Sequence, residues 1–102
     1  MSIYEHHHFR QKNGLNPKEE YLMGVLAELG DLKATTICTM AQRDSVYRKG
    51  SCLDALERLR DEGFLNAYKA SSEKVHTFNM WMLSPKGKYY LQQVRELYGK
   101  DS

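Results

Sequence analysis

The fold is decided by residues 53–65, LDALERLRDEGFL, where a helical pattern stops at a glycine and an apolar pair follows it. Leucines recur at positions 53, 56 and 59, a spacing that places them on one side of a helix. Gly63 supplies the left-handed backbone conformation with which many helices end. We therefore predict a helix over 52–62, with its three leucines in the core, and a strand over 64–69.

The start of this helix has two interpretations. Ser51 and Asp54 form the Ser-x-x-Asp pattern that is typical of helix starts, and they favour a beginning at 52. A beginning near Ser45 is the alternative. It would place Gly50 inside the helix, at a cost of about 1 kcal/mol.

Two more helices are predicted upstream. Asn16, Pro17 and Glu19 have the residue types of an N-cap, a first helical position and a capping-box partner, and they predict a helix over 17–29. A shorter, threonine-rich helix follows, for which we predict Asp31 as the cap and an end near Arg43.

A β-hairpin and a fourth helix are predicted downstream. A polar tip over 71–74 separates the strand at 64–69 from a second strand over 75–83. Ser84 and Pro85 then have the residue types of a cap and a first helical position. We expect this last helix to end at Gly99.

Composition is that of one ordered domain. The chain has 102 residues, of which 41% are apolar and 27% charged, with a net charge of +2. We divide it into an N-terminal arm (1–15), a domain (16–99) and a tail (100–102). The histidines at 6–8 are interpreted as part of an arm that is flexible, or that docks through Ile3, Tyr4 and Phe9, and not as a metal site.

Several function classes are disfavoured. No apolar stretch is long enough for a membrane span, and the N-terminus lacks the apolar core of a signal peptide, so we expect no membrane contact and a cytoplasmic location. The two cysteines form no CxxC pair and are predicted to be reduced and partly buried. We find no glycine-rich phosphate loop, HExxH motif or nucleophile elbow, and we predict a protein that is not an enzyme and has no cofactor and no metal.

Two segments resemble a known superfamily. Residues 53–65 resemble the end of a winged-helix recognition helix. Residues 83–88, LSPKGK, resemble the Leu-Thr-x-x-Gly that follows the wing in MarR- and PadR-type regulators. The resemblance covers about residues 16–98. It implies an α+β winged helix with a three-helix helix-turn-helix core, a two-stranded wing and a C-terminal helix.

The resemblance also implies a function, which is sequence-specific binding of double-stranded DNA by a dimeric transcriptional regulator that acts by occupying an operator. The third helix would enter the major groove with its N-terminal end, while the second helix and the wing would meet the phosphate backbone. Arg48 or Lys49 would read guanine, and Asp54 would accept from cytosine or only cap the helix. For the threonines and the wing, an ordinary solvated surface is the alternative. The predicted DNA-binding residues are Thr35, Thr36, Arg43, Tyr47, Arg48, Lys49, Ser51, Asp54, Lys69 and Lys74.

An aromatic stripe on the last helix is the predicted homodimer interface, because exposed stripes of this kind usually bind a partner, although part of the stripe must cover the core of the domain. Its residues are Tyr89, Tyr90, Val94, Leu97 and Tyr98.

The charge of the third helix favours a second interpretation. Two arginines stand against four carboxylates there, whereas DNA-reading helices are usually basic. We expect the carboxylates to cluster in its C-terminal half and to point away from the groove. The alternative function is a winged-helix protein-interaction module, such as a small phage- or plasmid-type protein that docks on a host factor.

Overall fold

The computed structural model describes residues 15–48, 50–71 and 77–98. Helices and strands alternate in the order α-β-α-α-β-β-α. They are α1 (Pro17–Leu29), β1 (Leu32–Lys33), α2 (Ala34–Arg43), α3 (Ser51–Asp61), β2 (Leu65–Ala70), β3 (Phe78–Leu83) and α4 (Pro85–Tyr98).

Helix α1 has the predicted bounds, but its capping box is only half formed. The Asn16 side chain accepts a hydrogen bond from the Glu19 N–H at 3.0 Å, and Pro17 occupies the first helical position. The Glu19 carboxylate accepts from Arg58 of α3 at 2.8 Å, so the predicted return bond to the cap was wrong. Leu15, which we assigned to the arm, is 6% exposed and belongs to the core.

The segment between α1 and α2 forms a strand that the sequence did not predict. Leu32 and Lys33 pair antiparallel with Trp81 and Met80. Asp31 does not cap α2, since the N-cap position is Lys33 and no side chain of the described residues caps the helix. The Asp31 carboxylate instead accepts a bond from the Tyr68 hydroxyl at 2.7 Å. The predicted end of α2 at Arg43 is confirmed.

Helix α3 supplies much of the core, although not through all three leucines. It begins one residue earlier than predicted, with Gly50 as a positive-φ cap in front of it. Leu56 and Leu59 are fully buried, but Leu53 is 42% exposed, so its assignment to the core was wrong. Each residue turns the helix by about 100°, so steps of three drift around it, and Cys52 lies on the buried side in place of Leu53.

Two thiols meet where α2 packs on α3. Cys52 is 1% exposed and Cys38 is half-buried. Burial, with a hydrogen bond to the Cys38 thiol, raises the pKa of the Cys52 thiol. The prediction of partly buried thiols is confirmed.

The sheet has three antiparallel strands in the order β1-β3-β2. The hairpin register runs from Leu65 opposite Leu83 to Ala70 opposite Phe78. Both hairpin strands were predicted, but β3 begins at Phe78, later than the expected 75. Trp81, 2% exposed, anchors the central strand in the core.

Polar contacts join the end of α3 to the start of α4. Gly63 has φ 89°, and the Phe64 N–H bonds the Leu59 carbonyl at 2.9 Å. The Ser84 hydroxyl donates to the Gly63 carbonyl at 2.5 Å and accepts from the Gly87 N–H at 3.0 Å. Ser84 is thus the predicted cap of α4, and it also fixes α4 to the preceding helix.

No helix within the described parts of the chain combines the length and the apolar character that crossing a bilayer requires.

Candidate nucleic-acid interface

The exposed side of α3 carries a stripe of carboxylates. Because Cys52, Leu56 and Leu59 face the core, positions 54, 57 and 61 lie farthest from it. We call Asp54, Glu57 and Asp61 the outer stripe. Leu53 and Arg60 border it on one edge, and Ser51 borders it on the other.

The carboxylates of the outer stripe differ in their partners. Asp61 lies 3.5 Å from the Arg60 Nε. Within the described residues, no hydrogen bond or ion pair engages the side chain of Asp54 or Glu57, and Asp54 therefore does not cap α3. Both lie in the first two turns of the helix. Glu57, Asp61 and the C-cap residue Glu62 lie beyond the midpoint of α3, as expected, whereas Asp54 lies in its N-terminal half.

A shallow depression lies at the Ser51 edge of α3. We call it the turn depression; its lining includes Lys18 from α1 together with Gln42, Ser45, Tyr47, Arg48 and Ser51. Ser45 adopts a positive φ of 59°, and the Val46 N–H bonds the Ala41 carbonyl at 2.8 Å. This tight turn places the exposed Arg48 directly in front of α3.

Tyr47 has a supporting position in this depression. Its half-buried ring packs against the core, and burial above all raises its pKa to about 12. The Lys18 ammonium lies 5.8 Å from the centre of the ring. The packing of Tyr47 thus holds a cation that is distant in sequence beside the start of α3.

Arg43 lies apart from Arg48. It does not line the turn depression, and its Nε lies 3.3 Å from a carboxylate oxygen of Asp44. The other Asp44 oxygen accepts a bond from the Tyr21 hydroxyl at 2.6 Å. Tyr21, followed by Arg43, holds the pKa of Asp44 below its usual value. The charge of Arg43 is therefore already opposed by a neighbouring carboxylate.

A second depression lies at the opposite edge of α3. We call it the α2–α3 groove; its lining includes Lys33, Thr35, Leu53, Glu57 and Arg60, with Phe78, Asn79 and Trp81 from β3. The Lys33 ammonium stands 4.2 Å from the centre of the Phe78 ring. The Arg60 guanidinium stands 5.5 Å from that of Trp81. Aromatic rings thus position two cations beside α3.

The remaining predicted residues are dispersed. Thr35 lines the α2–α3 groove, whereas Thr36 lines a separate depression with Tyr68. Lys69 is exposed and pairs with Asn79. By strand alternation it shares the face of Leu65, on which the helices pack. Lys49 and Lys74 lie outside the described residues.

Lys18, Lys33 and Arg60 were not among the predicted site residues. Lys18 and Lys33 reach α3 only through the packing of α1 and β1 on the core, for which the local sequence carries no signal. For Arg60 a signal exists, because burial of Leu56 and Leu59 places it at the edge of the exposed face.

A separate apolar groove runs between α1 and α4, away from α3. It measures about 720 Å³ and is lined on the α4 side by Leu91, Val94 and Arg95. Of the predicted dimer residues, Val94 lines it, Tyr89 is 63% exposed and Leu97 is half-buried. The side chain of Tyr98 lies outside what is described.

Tyr90 must be removed from the predicted interface. It is 2% exposed, its hydroxyl donates to Glu20 at 2.7 Å, and its ring meets Phe64 edge-on at 5.6 Å. Its side chain is buried within the domain, so it presents no surface to a second chain.

No protein-family model and no curated protein matches the chain. Solved structures do. A MepR-like protein complexed with pseudoligands superposes with a TM-score of 0.66 at 22% identity, over 86% of this chain and 58% of that one. YusO from Bacillus subtilis superposes with a TM-score of 0.66 at 18% identity, over 85% of this chain and 57% of YusO. PadR from Bacillus subtilis, solved in complex with operator DNA, superposes with a TM-score of 0.60 at 22% identity, over 74% of this chain and 44% of PadR.

The chain spans a little over half the length of the first two of these proteins. At identities of 18–22%, the similarity to these solved structures establishes the fold. Within the described residues that fold is α+β, with four helices and a three-stranded antiparallel sheet in which β2 and β3 form the wing. The predicted resemblance to MarR- and PadR-type regulators is confirmed at this level, and the chain has the winged helix-turn-helix fold.

Proposed function

We propose that the protein binds double-stranded DNA, with α3 in the major groove. The observation that carries the proposal is the position of the cations, which border α3 on both of its edges. Lys18 and Arg48 line the turn depression, and Lys33 and Arg60 line the α2–α3 groove. A major groove about 12 Å wide admits one helix and has a phosphate strand on each side, so cations on both edges match its charge.

Two further features support this orientation. The first amides of α2 have no side-chain cap in the part of the chain that the structure describes, and helix N-termini of this kind bind phosphate. Lys69 extends from the wing on the face where the helices pack. PadR, one of the proteins with the same fold, was solved in complex with operator DNA.

The experiment is a fluorescence-anisotropy titration with random-sequence duplexes from 50 to 200 mM salt. We expect affinity to fall steeply with salt, and Arg48→Ala to reduce the slope of log K against log salt by about 1. Lys88→Ala is the control, because Lys88 is an exposed cation on α4 that lines neither the depressions beside α3 nor the α1/α4 groove. Absence of binding, or binding that salt does not weaken, would overturn the proposal.

We further propose that the protein is a dimeric regulator that acts by operator occupancy and has no enzymatic activity. The α1/α4 groove is the surface that supports self-association, since it is apolar and distant from α3. A dimer would cover two half-sites about one helical turn apart. A cytoplasmic location accords with a protein that must reach the chromosome.

The outer stripe supports a second candidate function, the protein-interaction module. Free carboxylates at Asp54 and Glu57 beside the exposed Leu53 suit a basic, partly apolar protein surface. Nuclease-treated pull-downs separate the two candidates. Arg48→Glu should abolish DNA binding and spare such a partner, whereas Glu57→Lys should release the partner.

A further inference from the structure

We infer that α3 selects its DNA target through the amino groups of cytosines, with thymine methyl groups beside them. This inference rests on the proposed DNA binding and specifies what the same surface would read. It assigns Asp54 and Glu57 as specificity-determining residues, with Leu53 as their apolar neighbour.

The first argument is the hydrogen-bonding chemistry of the exposed side of α3. An ionised carboxylate only accepts hydrogen bonds. Guanine presents two acceptors in the major groove and thymine one, so neither satisfies it. Cytosine presents a single amino donor, whereas adenine places an acceptor next to its donor. Cytosine is therefore the base that suits Asp54 and Glu57.

The second argument is that these two carboxylates are free to make such bonds. Both are exposed, and neither is engaged by another side chain in the described residues. They are three residues apart, which is about 4.5 Å along the helix and close to the 3.4 Å step of a DNA strand. Asp61 differs, because Arg60 lies 3.5 Å from it.

The third argument concerns Leu53. A leucine that is 42% exposed at the edge of a carboxylate stripe offers no hydrogen bond to a base. In the major groove its complement is the methyl group of thymine. Leu53 lines the same groove as Glu57, so the two would contact neighbouring base pairs.

The arrangement also separates affinity from selectivity. The flanking cations attract any duplex, while Asp54 and Glu57 repel phosphates and lose their hydration unless they meet a donor. Neutralising them should raise the affinity for random DNA and lower the preference for the selected site. A stripe of arginines would raise both together.

The test is selection of a binding site from randomised duplexes, followed by base analogues in the selected site. We expect a half-site that contains cytosine. Replacing that cytosine with 2-pyrimidinone, which lacks the amino group, should weaken binding on the order of 10-fold or more. Replacing its partner guanine with 7-deazaguanine, which lacks the N7 acceptor, should have little effect.

Variants give a second readout. Glu57→Gln should change the preferred base at one position from cytosine to adenine, because a glutamine amide pairs with both groove atoms of adenine. Asp61→Asn is the matched control and should leave the selected site unchanged. Both lie on the surface of α3, and circular dichroism checks that they fold.

The outcomes are distinct. Loss of binding to 7-deazaguanine duplexes with tolerance of 2-pyrimidinone would overturn the inference and leave DNA binding standing. If Glu57→Gln selects the same DNA sequence as the wild type, the inference is likewise overturned and DNA binding still stands. If no duplex binds, the inference fails together with the proposed function.

Discussion

At the scale of single residues, Glu19 is the most deeply buried charged side chain in the described part of the chain. It is 2% exposed, one carboxylate oxygen accepts from Arg58, and the other is buried with no hydrogen-bond partner among the described residues. Burial, opposed by Arg58, raises its pKa above the usual value near 4.5. The folded protein therefore binds a proton at Glu19 more tightly than the unfolded chain does.

This shift gives the stability a pH dependence of known sign. A carboxyl whose pKa is raised on folding contributes stability below its unfolded pKa, and that stability is lost as pH rises through its folded pKa. We expect the unfolding free energy of the wild type, relative to Glu19→Gln, to fall as the pH increases from 4 to 8. Urea denaturation at several pH values measures it.

The matched variant is Arg58→Met, which removes the attraction that opposes the shift. The loss of stability with increasing pH should then become steeper, because Arg58 is the strongest group that holds the carboxylate in its charged form. A difference between wild type and Glu19→Gln that is constant or grows with pH would contradict this account.

At the scale of secondary-structure elements, the junction of α3, β2 and α4 leaves no room for a larger side chain at Gly87. A Cβ there would come within 2.3 Å of the Phe64 carbonyl oxygen and 2.7 Å of the Leu83 side chain. Ser84, which caps α4, holds the same turn close to Gly63. The close approach of backbone to backbone is what permits α4 to start where it does.

We predict that Gly87→Ala lowers the unfolding free energy by at least about 2 kcal/mol, because a clash with backbone cannot be relieved by a rotamer change. Gly24→Ala is the matched control. Apart from the backbone of α1 and the adjoining residues, no described atom lies within 4 Å of its added Cβ, and alanine in a helix interior should stabilise by about 0.5–1 kcal/mol. Chemical denaturation of both variants checks the pair. Equal stabilities would mean that the junction adjusts.

The elements that the sequence predicted best are those with local end signals. Asn16 and Pro17 mark α1, Gly63 marks the end of α3, and Ser84 marks α4. Strand β1 was missed because a strand of two residues shows no periodicity. It forms only by pairing with β3, which lies far from it in the sequence. Leu53 was misplaced because a three-residue spacing alone leaves the centre of the buried face undecided.

The candidate site was predictable to the same extent. Ser51 is the first residue of α3, and Arg48 and Thr35 lie beside that helix because the helix-turn-helix order places them there. Lys18 and Lys33 arrive from elements that pack onto α3 from elsewhere, so the arrangement of cations on two edges is a property of tertiary structure. A helical-wheel projection of α3 already places Asp54, Glu57 and Asp61 on one side. Identifying that side as the exposed one required knowing which face is buried.

At the scale of the whole molecule, the two candidate surfaces are centred on different helices, α3 for one and α4 for the other, and α1 contributes to both. The side of α3 that we propose for DNA is charged, whereas the α1/α4 groove is lined mainly by apolar side chains and has Tyr89 exposed on the same helix as Val94. The low net charge of +2 makes long-range attraction to DNA weak for a single chain. Two chains together would double the number of phosphate contacts.

We predict that Val94→Lys weakens self-association, because it places a charge in the apolar groove between α1 and α4. Glu96→Lys, at an exposed position on α4, is the matched control and should leave association unchanged. Sedimentation velocity between 1 and 100 μM measures both, with circular dichroism as the check on folding. A wild type that stays monomeric over this range would contradict the proposed dimer.

The hydrogen bonds of the Ser84 hydroxyl determine where α4 is held. The hydroxyl joins the end of α3 to the first turn of α4, and the Lys86 ammonium adds a second tie by donating to the Glu62 carbonyl at 2.8 Å. A helix of 14 residues is about 21 Å long, and both of these bonds hold α4 at its first turn, next to the end of α3. A displacement of about 4 Å at its far end corresponds to a rotation of about 10° around its first turn, and the buried Tyr90 couples any such rotation to Phe64 and to Glu20 of α1.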